Sequence, residues 1–305
     1  HHVAERGGPV QRAGESAGER AAQDGVRATR RRGRAGRVDA GDGVASELNT
    51  KLFNLERVVV SHDHLDHTGG LTSLIALRAV AMGDKEKPLE VCWMGKGQVA
   101  RALKNATETA TKFRKFELTW TEIGPGWEAQ VARDRRLRAI KAYHGGAPAL
   151  SFQILERRET LRPDLRGIPG IEIARLRENG EKITLPYDKV LWVYSGDSMP
   201  MAPGDVAGAD LLIHDCTFLR GEDRREKTHA SLDELADLVR HSKPKKAWGI
   251  HISPRYGETD YAQAKRRIAC ARLKGNLNLL PRKTTTLVAG QISRDKPKGK
   301  RPQKS

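Results

Sequence analysis

The chain of 305 residues is 38% hydrophobic and 30% charged, with 55 Lys and Arg against 38 Asp and Glu and a formal charge of +17. That apolar content can build a packed core, which excludes a wholly disordered chain, and no apolar run reaches the roughly 18 residues of a membrane-spanning helix. Cys92, Cys216 and Cys270 lie far apart with no C-x-x-C pair; this speaks against a disulfide framework, and with no secretory-type leader in view it points to a reducing, cytoplasmic setting.

The positive charge favours a polyanionic partner, because such a field attracts phosphate backbones at long range. It is unevenly spread. Residues 1–37 carry nine arginines, four acidic residues and no lysine, and Arg294 to Lys304 add six basic residues against Asp295, so the two ends supply more than half of the +17. Residues 1–37 show neither strand alternation nor a helical apolar face and are expected to be disordered or foreign to the folded domain. Residues 38–290 are expected to form that domain, and 291–305 a basic disordered tail.

From Val38 onward, short apolar runs end in polar residues. "RVVVS" (57–61) reads as a strand that delivers His62 and His64, and "LTSLIALRAV" (71–80) as the helix after it. "LRAIKAYH" then ends in His144, "KVLWVYSGD" in Asp197 and "ADLLIHD" in Asp215, while "KAWGIHIS" brings in His251. Between them, "SLDELADLVRH" (231–241) predicts a helix with Leu232, Leu235, Leu238 and Val239 on one face and a capping box of Ser231 with Glu234. Strands alternating with helices, with polar residues at the strand ends, indicate an α/β fold with its site at those ends.

The stretch "SHDHLDHTGG" (61–70) holds three of the ten histidines. His62 and His64, two apart at a strand end, can aim imidazoles at one metal ion, and Asp66 with His67 can serve a second beside it. The Gly69-Gly70 pair lets the chain turn into the next helix. Zinc accepts histidine nitrogen and carboxylate oxygen, and a catalytic ion takes about three protein ligands. His144, Asp197 and His251 at later strand ends supply the remainder. His214 and His241 read as structural, the first ending a strand and the second facing the negative end of a helix.

The H-x-H-x-D-H core resembles the metallo-β-lactamase superfamily. With "DAGDGVASEL" (39–48), "HGGAPALSFQILE" from His144, "VYSGDSMP", "ADLLIHDCTF", "THAS" around His229 and "HISPRY" from His251, the set resembles the ribonuclease Z family of tRNA 3′-processing endonucleases over about residues 38–256. The resemblance implies a four-layered αββα sandwich acting on precursor tRNA, with two zinc ions per subunit and a homodimeric assembly. Residue by residue, it implies that His62, His64 and His144 bind one ion, that Asp66, His67 and His251 bind the other, and that Asp197 bridges them. It also implies that Asp66 accepts a proton and that Asp215 with His229 handles protons near the leaving group. Asp215 is one methylene shorter than the family's usual Glu, so its reach to His229 is a matter for the three-dimensional structure. The "DAGDG" turn is expected to support the metal loop.

Two departures stand out. Residues 1–37 contain nothing like the Gly-rich strand pair with which family members begin, so the sandwich is expected to lack its first strands. The family's tRNA-gripping arm corresponds here to a short segment, 157–189, that interrupts the strand rhythm; the resemblance gives it Arg157, Arg158, Arg162, Arg166, Arg175 and Arg177 as tRNA contacts. The rival readings are a small-molecule hydrolase on the same fold and an inactive RNA-binding relic.

Overall fold

The computed structural model describes residues 35–37, 55–82 and 87–280. The "DAGDG" stretch, residues 1–34 and the tail 291–305 lie outside the described residues, and so do the expectations that fall on them.

The described chain opens with β1 (Ala35–Arg37), β2 (Arg57–Val59), α1 (Leu65–Thr68), α2 (Leu71–Met82), β3 (Leu89–Trp93), α3 (Gln98–Ala110) and β4 (Leu118–Glu122). It continues with β5 (Glu128–Ala132), β6 (Arg135–His144), β7 (Ala147–Leu161), α4 (Gly170–Glu178) and β8 (Thr184–Tyr194). The last elements are α5 (Pro203–Val206), β9 (Leu211–Asp215), α6 (Leu232–Ser242), β10 (Lys246–Ile250), α7 (Glu258–Cys270) and β11 (Leu277–Leu279). They form a four-stranded sheet in the order β1-β2-β3-β4 and a seven-stranded sheet in the order β11-β10-β9-β8-β7-β6-β5. The first is parallel throughout; in the second, β5 to β8 pair antiparallel and β8 to β11 parallel.

Alternation along β2 explains the layering. Val58 and Val60 pack outward with Leu71, Leu74 and Ile75 of α2. Val59 points the other way and joins Cys92, Phe152, Ile213 and Trp248 between the two sheets. Strands covered on both faces need apolar side chains at successive positions, which is why "VVV" (58–60) is an unbroken apolar run. On the far side, Leu212 and Ala247 meet Leu235, Leu238 and Val239 of α6 and Ile268 of α7. The result is the expected four-layered αββα sandwich. In α6 the capping box forms as predicted: Ser231 Oγ accepts from the Glu234 amide, and the Glu234 carboxylate accepts from the Ser231 amide at 2.9 Å.

Two expectations meet a different structure. Strand β1, which pairs parallel with β2 through Ala35 opposite Arg57, falls inside the segment 1–37. "AGR" carries no alternation, and backbone pairing alone makes it a strand. Segment 157–189 does not interrupt the strand rhythm but prolongs it: β7 and β8 stay paired from Phe152 opposite Tyr194 out to Leu161 opposite Thr184. Burial along β7 stops at Glu156. Beyond that point the hairpin leaves the core, and a 3-10 turn (Pro163–Leu165) and α4 form its tip.

Candidate active site

The site residues come from the ends of five strands and the loops after them. His62 follows β2, and His64 is the N-cap of the short helix α1 that carries Asp66 and His67. Gly69 is needed for contact rather than for its φ of −56°, since a Cβ there would sit 2.7 Å from the Leu65 carbonyl oxygen. His144 ends β6, Asp215 ends β9, and His251 follows β10 with a left-handed φ of 60°, a strained geometry for a residue with a side chain. Asp197 is reached from β8 through Gly196, whose φ is +62° and whose missing Cβ leaves room for Ser61 and the Leu150 carbonyl. A glycine here lets the second sheet close onto the loop that holds His62.

Two of the three donor groups formed among the described residues hold the expected ligands, and the third joins Asp197 and His251 to Asp215 and His229. His62, His64 and His144 form one of the two, and Asp66, His67, Asp197 and His251 the other, with the donor atoms of each group within 4.8 Å of one another. Asp197 Oδ2 lies 3.0 Å from His67 Nε2, 3.3 Å from His251 Nε2 and 3.8 Å from His62 Nε2, so it touches both groups. Asp66 Oδ2 lies 3.3 Å from His67 Nε2.

Two observations test whether this set fits metal ions. Buried His62 Nε2 and Asp197 Oδ1 have no hydrogen-bond partner among the described residues, an expensive state for polar atoms unless something else satisfies them. The outer ring nitrogens are also held: His144 Nδ1 faces the Thr228 carbonyl at 3.1 Å, and His62 Nδ1 faces Ser61 Oγ at 3.1 Å. Donation from Nδ1 of His144 leaves its Nε2 lone pair turned inward, as a metal ligand requires. Gly145, with φ +57°, permits that contact, because a Cβ there would meet Thr228 at 2.4 Å. Burial, and then the neighbouring His67, push the His62 imidazole down to about 2, and burial lowers His144 as well; both are therefore neutral donors. Burial disfavours the charged form of Asp197, but the adjacent His67 and His251 outweigh it and hold the carboxyl below its usual range. The donor set fits two divalent ions.

Asp215 is fully buried and accepts from four donors. Oδ2 takes the Ser198 amide at 3.0 Å and faces His229 Nδ1 at 2.6 Å, while Oδ1 takes the Thr217 amide and hydroxyl, each at 2.8 Å. The shorter side chain reaches His229 without difficulty. Four donors fill the lone-pair positions of a carboxylate, so Asp215 has none to spare for an ion. Burial opposes a charge on His229, but the bond to Asp215 and its charge prevail and raise the imidazole, favouring a form with a proton to give. Its ring lies 4.8 Å from that of His144 and stacks on His251 at 5.0 Å, between the two donor groups. It does not cap α6, a task that Ser231 performs.

Sequence reasoning missed Thr217. Its hydroxyl donates to Asp215 and lies 2.8 Å from His251 Nδ1, which makes it the acceptor of that N–H and turns His251 Nε2 towards Asp197. The only signal was its place two residues after Asp215. His214 is structural, as read: fully buried, its Nδ1 lies 2.8 Å from the Asp215 carbonyl and its Nε2 accepts from the Met201 amide. His241, in the last turn of α6, meets the Asp237 carbonyl through Nδ1.

The six arm arginines divide in two. Arg158 pairs with Glu156 at 2.6 Å, Arg162 with Asp164 at 2.5 Å and Arg157 with Asp188 at 3.5 Å. Arg166, Arg175 and Arg177 are exposed near the tip and have no ion pair among the described residues.

Comparison with known proteins places the chain. A family model for the beta-lactamase superfamily domain matches residues 38–252. A protein named ribonuclease Z from Thermococcus onnurineus (strain NA1) is 28% identical over 256 residues, covering 76% of this chain and 79% of its own. One of the same name from Metallosphaera sedula is 26% identical over 277 residues, covering 82% and 90%. Among solved structures, the short form of human tRNase Z superposes with a TM-score of 0.53 at 17% identity, over 75% of this chain and 85% of that one. The metallo-beta-lactamase fold protein YhfI from Bacillus subtilis gives 0.51 at 18%, over 81% and 83%. Together with the two-sheet architecture and its rim of histidines and aspartates, the match assigns this chain to the beta-lactamase superfamily, in its metallo-β-lactamase fold.

Proposed function

We propose that this protein is a zinc-dependent endoribonuclease that removes the 3′ trailer from precursor tRNA. The observation that carries the reading is the position of His229: fixed by Asp215, it stands between two metal-type donor groups that meet at Asp197. The name shared by the curated relatives, ribonuclease Z, points to the same activity. The inactive-relic reading sits poorly with both donor groups and the His229–Asp215 pair being assembled.

In this reading His62, His64 and His144 would hold one zinc ion and Asp66, His67 and His251 the other, with Asp197 within reach of both groups. When bound, the ions supply Lewis acidity, making a water nucleophilic at neutral pH and offsetting charge on the phosphate oxygens. The side chains do the rest. Asp66, exposed at the mouth of the cleft, takes the proton that the attacking water loses. His229 gives a proton to the leaving oxygen, and Asp215 keeps its ring in place and stabilises its charge. Thr217 fixes the orientation of His251. The arm supplies tRNA affinity through Arg166, Arg175 and Arg177, and the active form is a homodimer.

The test is incubation of the purified protein with a 3′-extended precursor tRNA, with and without chelator. The expected result is one cut near the mature 3′ end, abolished by chelator and restored by zinc. Cleavage indifferent to chelator, or no cleavage with zinc present, overturns the reading.

A further inference from the structure

Next to the His144 wall of the cleft opens a mostly apolar cavity of about 400 Å³, lined by Met94 beyond β3, Pro125 beyond β4, and Lys141, Tyr143 and Pro148 of the β6–β7 hairpin. That size lies within the range of small-ligand sites. Tyr143 is 58% exposed although Ala142 and His144 on either side of it are buried. An exposed aromatic ring beside a methionine and two prolines is a platform on which a flat heterocycle can stack. Lys141, two residues earlier, shares the exposed face of β6 with Tyr143 and lines the same cavity. The backbone also fixes the platform relative to the chemistry: the Tyr143 carbonyl accepts from the Met199 amide at 2.8 Å, two residues beyond Asp197, and His144 belongs to both the cavity wall and the first donor group.

We propose that this cavity receives the base of one nucleotide flanking the scissile phosphodiester, with Tyr143 stacking on the base and Lys141 meeting an adjoining phosphate. The inference rests on the endoribonuclease reading above and deepens it, because it makes the cavity the element that sets which phosphodiester lies over the metal-type donors. A base is favoured over a free anion because the walls are apolar and a single lysine is the cationic group lining the cavity.

The experiment uses the zinc-loaded full chain and precursor tRNAs that are intact or abasic at one or the other nucleotide flanking the cut. On the intact substrate Tyr143→Ala is expected to lower kcat/KM by roughly tenfold or more, the usual scale for removing one ring that stacks on a base. Tyr143→Phe, which keeps the ring, should stay within about twofold of the parent, since stacking does not need the hydroxyl. One of the two abasic substrates should cost the parent a similar factor and cost Tyr143→Ala nothing further. Zinc content and melting temperature of the variants show that loss is not due to misfolding. If the parent cleaves but both abasic substrates are cut like the intact one, or the two losses multiply, the base site is wrong and the endoribonuclease reading stands. If the zinc-loaded parent does not cleave the intact substrate, both fall.

Discussion

In the cleft, His62, His67, His144, Asp197 and Asp215 are each at most 4% exposed, whereas at the tip of the arm α4 buries none of its residues. The cleft is held together by hydrogen bonds between residues far apart in the chain, such as Thr217 with His251 and His144 with Thr228. The arm is held by its backbone ladder and by ion pairs near its base, where Arg135 and Arg158 share Glu156, and Arg136 and Arg157 share Asp188. In the proposed function the difference matches two kinds of work. Reaction at a phosphodiester needs donors fixed to a fraction of an ångström, and burial fixes them. Holding a large polyanion needs only charge within reach, which in that function is the part of the solvent-exposed arginines on the protruding hairpin.

Substitutions should separate the two regions, and Asp197→Ala should have the largest effect. It removes the carboxylate that touches both donor groups and is expected to abolish cleavage and reduce bound zinc, as read by elemental analysis of the purified protein; an active variant with full zinc content breaks the assignment. His229→Ala comes next. It should lower kcat by something on the order of 10²- to 10⁴-fold, the usual range for a lost acid–base group, with zinc content unchanged. A variant that loses zinc instead would make His229 a ligand.

Thr217→Val tests the support of the cleft. The isosteric change keeps volume but removes both hydroxyl hydrogen bonds, and zinc affinity measured by competition with a chromophoric chelator should fall roughly 10- to 100-fold, as for other groups that orient a ligand. Thr217→Ser should retain most of it. The smallest effect on chemistry should come from the arm. Joint replacement of Arg166, Arg175 and Arg177 by alanine is expected to raise KM for precursor tRNA, leave kcat near that of the parent, and reduce the slope of log affinity against log salt by about 0.9 for each phosphate no longer neutralised. Replacing Arg157, Arg158 and Arg162, already paired with carboxylates, should change that slope less. Equal effects of the two triple variants would erase the distinction between the arginines paired with carboxylates and those at the tip.

The sequence by itself determined what depends on neighbours along the chain. His62, His64, Asp66 and His67 are legible as a cluster of metal-type donors because a strand end and one short turn bring them together whatever the rest of the chain does. The strands leading to His144, Asp197, Asp215 and His251, and the capping box of α6, are likewise local patterns of apolar and polar residues. Tertiary structure decided what depends on pairs distant in sequence. Asp215 binds His229 despite its shorter side chain because the β9 end and the loop before α6 approach closely. Thr217 matters only because β10 brings His251 to it across 34 positions. Which arm arginines meet a carboxylate follows in part from the register of β7 on β8, which sets Arg157 opposite Asp188. The strand at Ala35–Arg37 follows from the exposed backbone edge of β2, since a ladder hydrogen bond does not depend on side-chain pattern. The cavity beside Tyr143 draws its walls from the ends of two different sheets, so no window of sequence contains it.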